Sequence, residues 1–383
     1  MIPSLRSTDP NDTHARLVVL WAFVLSTAMH LIMVAGAATD IPYADQWGAE
    51  GAFLYPRFMD GGLRMLDLLA PHNEHRILLT RLLDLAAFRA SGGWDPLVQI
   101  LVGTALRGLA VAMVVRVLIE GRTRGERWVI VVAALLLISP LLAWENALCG
   151  FQTQVAFSII LVAVAFHALA TGQPGSARRR FGYAAAAVSQ FAMAPGMLAA
   201  PAILCWLCIT SMNGRRNRPE DWIMAGLLLI QTAVLWTSVP AHAELRAEGP
   251  VDLVVALARI LAWPHVGSPL AAAVVCLPLT AALVLRTLRS QLECLPDGVI
   301  LLGIWGLGMA AALAWSRGGQ ASLEVVVPSR YADFLGVLVL AGVAAAFALS
   351  RRLEPIKRLH ARWLLSLWLL FVALLTLTHR SDD

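Results

Sequence analysis

The chain has 383 residues, of which 58% are hydrophobic and only 14% are charged, and its mean hydropathy is +0.70. Soluble domains carry roughly a quarter charged residues, so the composition excludes a soluble globular protein and makes lipid the solvent for most of the chain. The net charge of +5 is divided among short loops, not gathered in one patch, which argues against nucleic acid as a partner.

Apolar runs long enough to cross a bilayer, which takes about 20 residues, follow one another along the chain. The first comes after a polar stretch, residues 1–16, that lacks the shape of a cleavable signal. The pattern predicts an all-α integral membrane protein, a single polytopic domain over residues 1–383 with about 11 transmembrane helices. The predicted spans are 17–38, 97–119, 128–144, 153–171, 182–195, 197–212, 222–239, 268–286, 298–315, 332–350 and 362–378.

The charges of the connecting segments predict the orientation. With a cytoplasmic N-terminus, inside segments hold 18 basic and 9 acidic residues, and outside segments hold 10 basic and 16 acidic residues. This is the positive-inside pattern, and it predicts a multi-pass protein of a bacterial inner membrane, with its C-terminus outside. Both arginine runs, 178–180 and 215–218, become cytoplasmic, so we expect residues 181–212 to form two short helices around Ala194-Pro195-Gly196.

The first extracytoplasmic loop, residues 39–96, is the longest. It contains two helix-like stretches, Gly48–Ala70 and Glu74–Arg89. In the second, polar residues recur every fourth position from Arg76 to Asp84 beside an apolar face, which predicts an amphipathic helix. Its charges make a membrane crossing unfavourable, so we expect this helix to lie in the interface.

Two carboxylates, Asp40 and Asp45, open this loop just beyond the first span, with Trp47 close behind. A carboxylate at the membrane surface can act as a general base toward a hydroxyl group or bind a cation. The alternative interpretation is that both acids merely mark the outer end of a helix.

A second polar cluster, His72-Asn73-Glu74-His75, lies at the entry of the predicted amphipathic helix. Asn73 can cap that helix, and the two histidines, three residues apart, can face one ligand. The spacing is not that of a zinc-binding H-E-x-x-H motif. A solvated helix start is the alternative.

Two later clusters face the same predicted side. Glu145 and Gln152 lie in the short loop after the third span, where an ordinary polar turn is the alternative. The late outer loop, residues 316–331, carries Arg317 at one end and Arg330-Tyr331 at the other. An arginine at headgroup level suits a phosphate, although it can also simply extend its charge to the membrane surface.

The arrangement resembles the GT-C superfamily of membrane glycosyltransferases: a first span, an acidic outer loop with interfacial helices, many further spans and a late outer arginine. The resemblance implies transfer of a sugar from a polyprenyl-phosphate carrier to a glycan, lipid or protein acceptor on the extracytoplasmic face. It implies that Asp45 or Asp40 is the catalytic carboxylate and that Arg330, Arg317 and Tyr331 meet the phosphate. The substrate-binding residues would be Trp47, His72, Asn73, Glu74, His75, Glu145 and Gln152.

The sequence identifies no cofactor. The two acids are five residues apart and do not form a D-x-D motif, which leaves a divalent cation open. The chain has no glycine-rich dinucleotide fingerprint, which favours a lipid-linked donor over a soluble nucleotide sugar.

Two other functions stay open. A transporter or flippase would use polar residues near the bilayer midplane, where the sequence places His30, Arg107, Gln190 and Gln231. A non-catalytic subunit of a membrane assembly is the third interpretation.

Overall fold

Helices make up 78% of the structure, a computed structural model that describes residues 10–240, 242–265, 271–289, 295–319 and 327–378. No strand occurs within these ranges. The helices are α1 Pro10–Ala37, a π-helix at Trp47–Leu54, α2 Tyr55–Met59, α3 Met65–Leu69, α4 Leu78–Ser91, α5 Pro96–Leu118, α6 Arg124–Leu137, α7 Trp144–Leu148, α8 Thr153–Thr171, α9 Ala177–Ser189, α10 Ala194–Met197, α11 Ala199–Met212, α12 Pro219–Trp236, α13 Pro250–Leu261, α14 Ala271–Arg289, α15 Asp297–Arg317, α16 Ala332–Ser350 and α17 Pro355–Thr378.

Within the described ranges, seven segments are long and apolar enough to cross a membrane, so the chain is a multi-pass membrane protein. They are Asp12–Ala37, Pro96–Leu118, Gly150–Thr171, Ala194–Met212, Ala271–Leu288, Asp297–Arg317 and Ser329–Ser350. The expected number of about eleven is not confirmed. Helices α6, α9, α12 and α17 coincide with predicted spans but are not among the seven. With 14 and 13 residues, α6 and α9 are about 20 Å long, less than the roughly 30 Å hydrocarbon layer.

The region expected to contain a break does contain one. Helix α9 ends at Ser189 and α10 begins at Ala194, next to the predicted Pro-Gly pair. The Ser189 hydroxyl donates to the carbonyls of Ala186 and Gly196, at 2.7 and 3.2 Å. A Cβ on Gly196 would collide with the Ser189 carbonyl, so glycine allows the two chain segments to approach this closely.

Helix α16 is the centre of the bundle. It is buried along almost its whole length and packs against α6, α14 and α15. By contrast, α1 and α14 expose large apolar side chains such as Ile32 and Leu288. This apolar outer surface is what a lipid solvent requires.

Several ion pairs join the ends of neighbouring helices. Arg179 and Asp221 meet at 2.7 Å, and Glu126 pairs with Arg351 at 2.6 Å and Arg362 at 3.4 Å. Every one of these residues belongs to a segment assigned to the cytoplasmic side. We call this end of the bundle the arginine-rich end.

The polar stripe of α4 faces the protein. Thr80, Arg81 and Asp84 are buried, whereas Leu82 is 45% exposed. Arg81 Nη1 donates to three backbone carbonyls between residues 67 and 70. An amphipathic helix on a water-facing surface has the opposite orientation, so the polar periodicity here marks an internal contact.

The buried Arg179–Asp221 pair provides a test of the fold. The side chains are only 6% and 2% exposed, so Asp221→Ala leaves an unpaired buried arginine. We expect the free energy of unfolding to fall by about 3–5 kcal/mol. The matched control is Asp12→Ala, which removes an exposed pair with Arg16 and should cost about 0–1 kcal/mol. Equilibrium unfolding in mixed detergent micelles measures both, and equal losses would contradict the assignment.

Candidate functional site

A buried carboxylate anchors the first outer loop. Glu50, on the π-helix, is 1% exposed. Its Oε2 accepts hydrogen bonds from Trp94 Nε1 at 2.8 Å, from Gln99 Nε2 at 2.9 Å and from the Tyr55 hydroxyl at 3.4 Å. The first helix-like stretch of the loop is thereby fixed to the start of α5, which supplies Gln99.

A second buried acid joins this network. Gln99 Nε2 also donates to Asp84 Oδ1 at 2.8 Å, while Gln99 Oε1 accepts from Gln46 Nε2 at 3.0 Å. Burial raises the pKa of Glu50 to about 7, even though four hydrogen bonds to its carboxylate lower it. Burial and the nearby Glu50 charge raise the pKa of Asp84 well above its usual range. We call Gln46, Glu50, Asp84 and Gln99 the carboxylate cluster.

The carboxylate cluster holds the turn that carries Asp45. Gln46 is 1% exposed, and its Oε1 accepts from the Tyr43 backbone N–H at 3.1 Å. Between them, Ala44 has a φ of 46°, a left-handed conformation that is unfavourable for a residue with a Cβ and is enriched at functional sites. Asp45 itself points outward and is exposed.

The predicted histidine cluster forms a tight turn and not a helix start. His72 and His75 exchange both backbone hydrogen bonds, at 2.8 and 2.9 Å. Asn73 has a φ of 47° and does not cap α4, which begins at Leu78 after an uncapped Ile77. The expected capping role of Asn73 is therefore wrong, because the helix starts four residues later than predicted.

The charge of Asp45 acts on both histidines. Burial lowers the pKa of His72 and lowers that of His75 to about 4, while the Asp45 charge opposes both shifts. Both imidazoles are therefore neutral at pH 7, and His75 Nδ1 is buried without a partner within the described part of the chain. A neutral imidazole nitrogen can exchange a hydrogen bond with a hydroxyl group.

Glu74 joins this turn to the late outer loop. Its carboxylate accepts from Arg317 Nη2 at 2.5 Å, and Arg317 Nε donates to the Tyr331 hydroxyl at 3.3 Å. Burial opposes the ionisation of Glu74, but the hydrogen bond and charge of Arg317 lower its pKa overall. Arg317 is thus already occupied by a protein carboxylate.

Glu145 fixes the backbone around Arg330. Its Oε2 accepts from the Ser329 hydroxyl at 2.7 Å and from the Arg330 N–H at 3.0 Å. Its other oxygen lies 3.8 Å from the Arg330 guanidinium, whose side chain is 43% exposed. The charge of Asp45 also acts on Arg330. The Arg330 guanidinium thus interacts most strongly with Tyr331 and Glu145, and less strongly with Asp45, while its side chain remains partly exposed.

A buried pair beneath this loop explains the arginine inside the second span. Arg107 Nη1 lies 3.5 Å from Asp333 Oδ2, and both side chains are 5% exposed. Asn146 Nδ2 donates to the same carboxylate at 2.9 Å and to the Arg330 carbonyl at 3.1 Å. The start of α16, which follows Arg330, is in this way tied to α5 and α7.

The structure brings most of the predicted site residues together, around what we call the Asp45 site: Asp45, His72, Asn73, Glu74, His75, Glu145, Arg317, Arg330 and Tyr331. Three others lie apart from it. Asp40 is exposed, and no polar contact of its side chain is present among the described residues. Gln152 is half-buried and likewise lacks one. Trp47 packs edge-on against Trp94 at 5.4 Å, lining an open apolar groove of about 660 Å³. Residues 320–326 of the late loop lie outside the described residues.

The carboxylate cluster was not predicted from the sequence. Glu50 stands alone in an apolar stretch, and Gln99 opens a predicted span, so neither signals a partner locally. The described residues contain no group of three or more histidine, cysteine or acidic side chains that could hold a metal ion. The divalent cation considered from the sequence therefore has no such site there.

Comparisons with protein-family models, with curated proteins and with solved structures found no match. The resemblance to membrane glycosyltransferases consequently stays a prediction from the residues.

The buried Glu50 makes stability depend on pH. Its pKa rises from 4.5 to about 7 on folding, so the folded state favours the protonated form. The associated stability is complete below about pH 4.5 and is lost as the pH rises through 7, a change of about 3 kcal/mol. Glu50→Gln should therefore flatten unfolding free energies measured between pH 4.5 and 8.

The exposed Glu248→Gln serves as the control and should keep the wild-type pH profile. A Glu50→Gln profile as steep as that of the wild type would show that Glu50 does not titrate in this range.

Proposed function

We propose that the chain is a membrane glycosyltransferase that moves a sugar from a polyprenyl-phosphate carrier to a hydroxyl acceptor at the extracytoplasmic membrane surface. The observation that carries the proposal is an exposed carboxylate, Asp45, whose charge acts on Arg330, an arginine with a side chain that is 43% exposed. Transfer of a sugar from a phosphate leaving group needs a base at the acceptor hydroxyl and a positive charge at the departing phosphate.

In the proposed reaction, the Asp45 carboxylate takes the proton of the acceptor hydroxyl. The acceptor oxygen bonds to the anomeric carbon while the bond from that carbon to the phosphate oxygen breaks. Polyprenyl phosphate leaves with the bonding electrons, and Arg330 stabilises its negative charge. His72 and His75, neutral at pH 7, offer hydrogen bonds to sugar hydroxyls.

The proposal assigns different roles to the two arginines of the late loop. Arg317 is bound by Glu74 and Tyr331, so it holds the loop in place, whereas Arg330 meets the phosphate. Glu145 supports Arg330 through its backbone N–H and lies 3.8 Å from the guanidinium, whose side chain is still 43% exposed. The finer predictions, about eleven spans and an outward-facing site, belong to the same proposal and rest on the charge distribution of the loops.

The transporter hypothesis has less support. The polar residues expected near the midplane are already used in the fold: His30 Nδ1 contacts the Ser26 carbonyl at 2.8 Å, and Arg107 pairs with Asp333. Gln190 and Gln231 donate to backbone carbonyls at 3.2 and 3.0 Å. The contacts of Arg107, Gln190 and Gln231 join different helices, the contact of His30 lies within α1, and all four leave little capacity for a passing substrate.

Exchange of the proposed base tests the function. We expect Asp45→Asn to reduce sugar transfer by at least about 100-fold, the usual contribution of a general base, without loss of folding. The assay uses purified protein in liposomes with radiolabelled polyprenyl-phosphate hexoses and a membrane-lipid extract as acceptor. Asp40→Asn, five residues away and without a polar contact, is the matched control.

The outcomes separate the assignments. Loss in Asp45→Asn alone supports the proposed base. Loss in Asp40→Asn alone moves the base to Asp40, and full activity in both variants contradicts a catalytic role for either acid.

A second test concerns the leaving group. Arg330→Gln should lower kcat by about 100-fold, the loss typical when one stabilising donor is removed from a developing charge. It should do so with little change in melting temperature, because the guanidinium is half-exposed. Arg317→Gln should instead lower the melting temperature, because it leaves Glu74 unpaired. The reverse pattern would contradict the two roles.

A further inference from the structure

A small cavity of about 190 Å³ lies near the arginine-rich end, on the opposite side of the bundle from the Asp45 site. Three basic side chains line it: Arg116 from the last turn of α5, His167 from α8 and Arg178 from the first turn of α9. The cavity is smaller than the roughly 300–1,000 Å³ of typical small-molecule pockets, so it suits a single chemical group.

These basic groups have unused hydrogen-bonding capacity. In the described part of the chain, Arg116 makes no hydrogen bond or ion pair, and Arg178 contacts only the Thr171 hydroxyl, at 3.5 Å. His167 Nδ1 is buried without a partner. The acid that acts on both arginines, Glu120, forms no ion pair with either within the same ranges.

The charges of Arg116 and Arg178 beside one cavity repel each other unless an anion lies between them. Arg178 adds to the cost, because it is the second residue of α9 and its charge lies at the positive end of the helix dipole. An anion in the cavity would offset both the charge repulsion and the unfavourable interaction of Arg178 with the helix dipole. Guanidinium groups bind phosphate oxygens with particularly favourable geometry.

The rest of the cavity wall is apolar. Met113, Val164 and Phe181 contribute to it, and Phe181 is 59% exposed at the surface of the bundle. A ligand that carries both a phosphate and a hydrocarbon chain fits such a wall. Basic pockets between membrane helices on the positive side bind anionic headgroups for this reason.

We propose that Arg116, His167 and Arg178 form a binding site for a phosphate group, with an apolar wall suited to one carried by an anionic membrane lipid. The site stands independently of the proposed glycosyl transfer, since it lies at the other end of the bundle and shares no residue with the Asp45 site.

Native mass spectrometry of the full-length protein in detergent tests the site with phosphatidylglycerol, phosphatidylcholine and inorganic phosphate as separate probes. We expect retained phosphatidylglycerol, at least about tenfold weaker binding in Arg116→Gln and in Arg178→Gln, and little retention of phosphatidylcholine. Arg180→Gln is the matched control, because Arg180 is exposed in the same arginine run but does not line the cavity.

Displacement of the lipid by millimolar inorganic phosphate would assign the site to free phosphate as well as to lipid. Binding that falls equally in Arg178→Gln and Arg180→Gln would overturn the proposal, since it would reflect general surface charge. So would unchanged binding in both cavity arginine variants. If Arg116→Gln fails to fold on size-exclusion chromatography, His167→Gln takes its place with the same expected loss.

Discussion

Hydrocarbon offers no hydrogen bonds, so every polar group between the helices of this chain must find its partner within the protein. Glu50 illustrates the constraint. Its carboxylate collects hydrogen bonds from Trp94, Gln99 and Tyr55, and these three come from separate parts of the first outer loop and the start of α5. The buried carboxylate of Glu50 thus fixes the first outer loop against the start of α5.

The same constraint shapes both ends of the molecule. On one end, Asp333 and Arg107 tie α16 to α5 and fix the backbone on which Arg330 stands. On the other, buried pairs such as Arg179–Asp221 join the first turns of neighbouring helices, here α9 and α12. Where pairing is complete, as for Arg317 with Glu74, the residue is structural. Where a basic side chain stays partly exposed, as for Arg330, or lacks a side-chain partner within the described residues, as for Arg116 and His167 in the basic cavity, we infer a ligand.

The features that could be predicted from the sequence are those that arise from composition or from residues close together in the chain. Composition predicted the membrane class, and dense polar runs such as His72–His75 marked most of the Asp45 site. The number of spans could not be predicted as well, because short helices such as α6 and α9 are apolar without being long enough to cross. The orientation of α4 was also missed, because a polar stripe can face water or a buried partner with the same periodicity.

The carboxylate cluster could not be predicted from the sequence for a different reason. Gln99 is 49 residues from Glu50 and 15 from Asp84, and none of the three belongs to a motif. Their partnership arises only when the loop folds back on α5. The carboxylate cluster matters for the proposed function because Gln46, which is next to Asp45 in the chain, holds the turn that carries this exposed acid. A preorganised site needs such support.

In the proposed function, Asp45 and Arg330 face one substrate at the membrane surface. An electron cryomicroscopy structure in lipid nanodiscs, with a bound polyprenyl-phosphate hexose, tests it most directly. We expect donor phosphate oxygens within about 3 Å of the Arg330 guanidinium, with the sugar beside Asp45 and His75. A donor bound between the membrane-spanning helices, away from both residues, would contradict it.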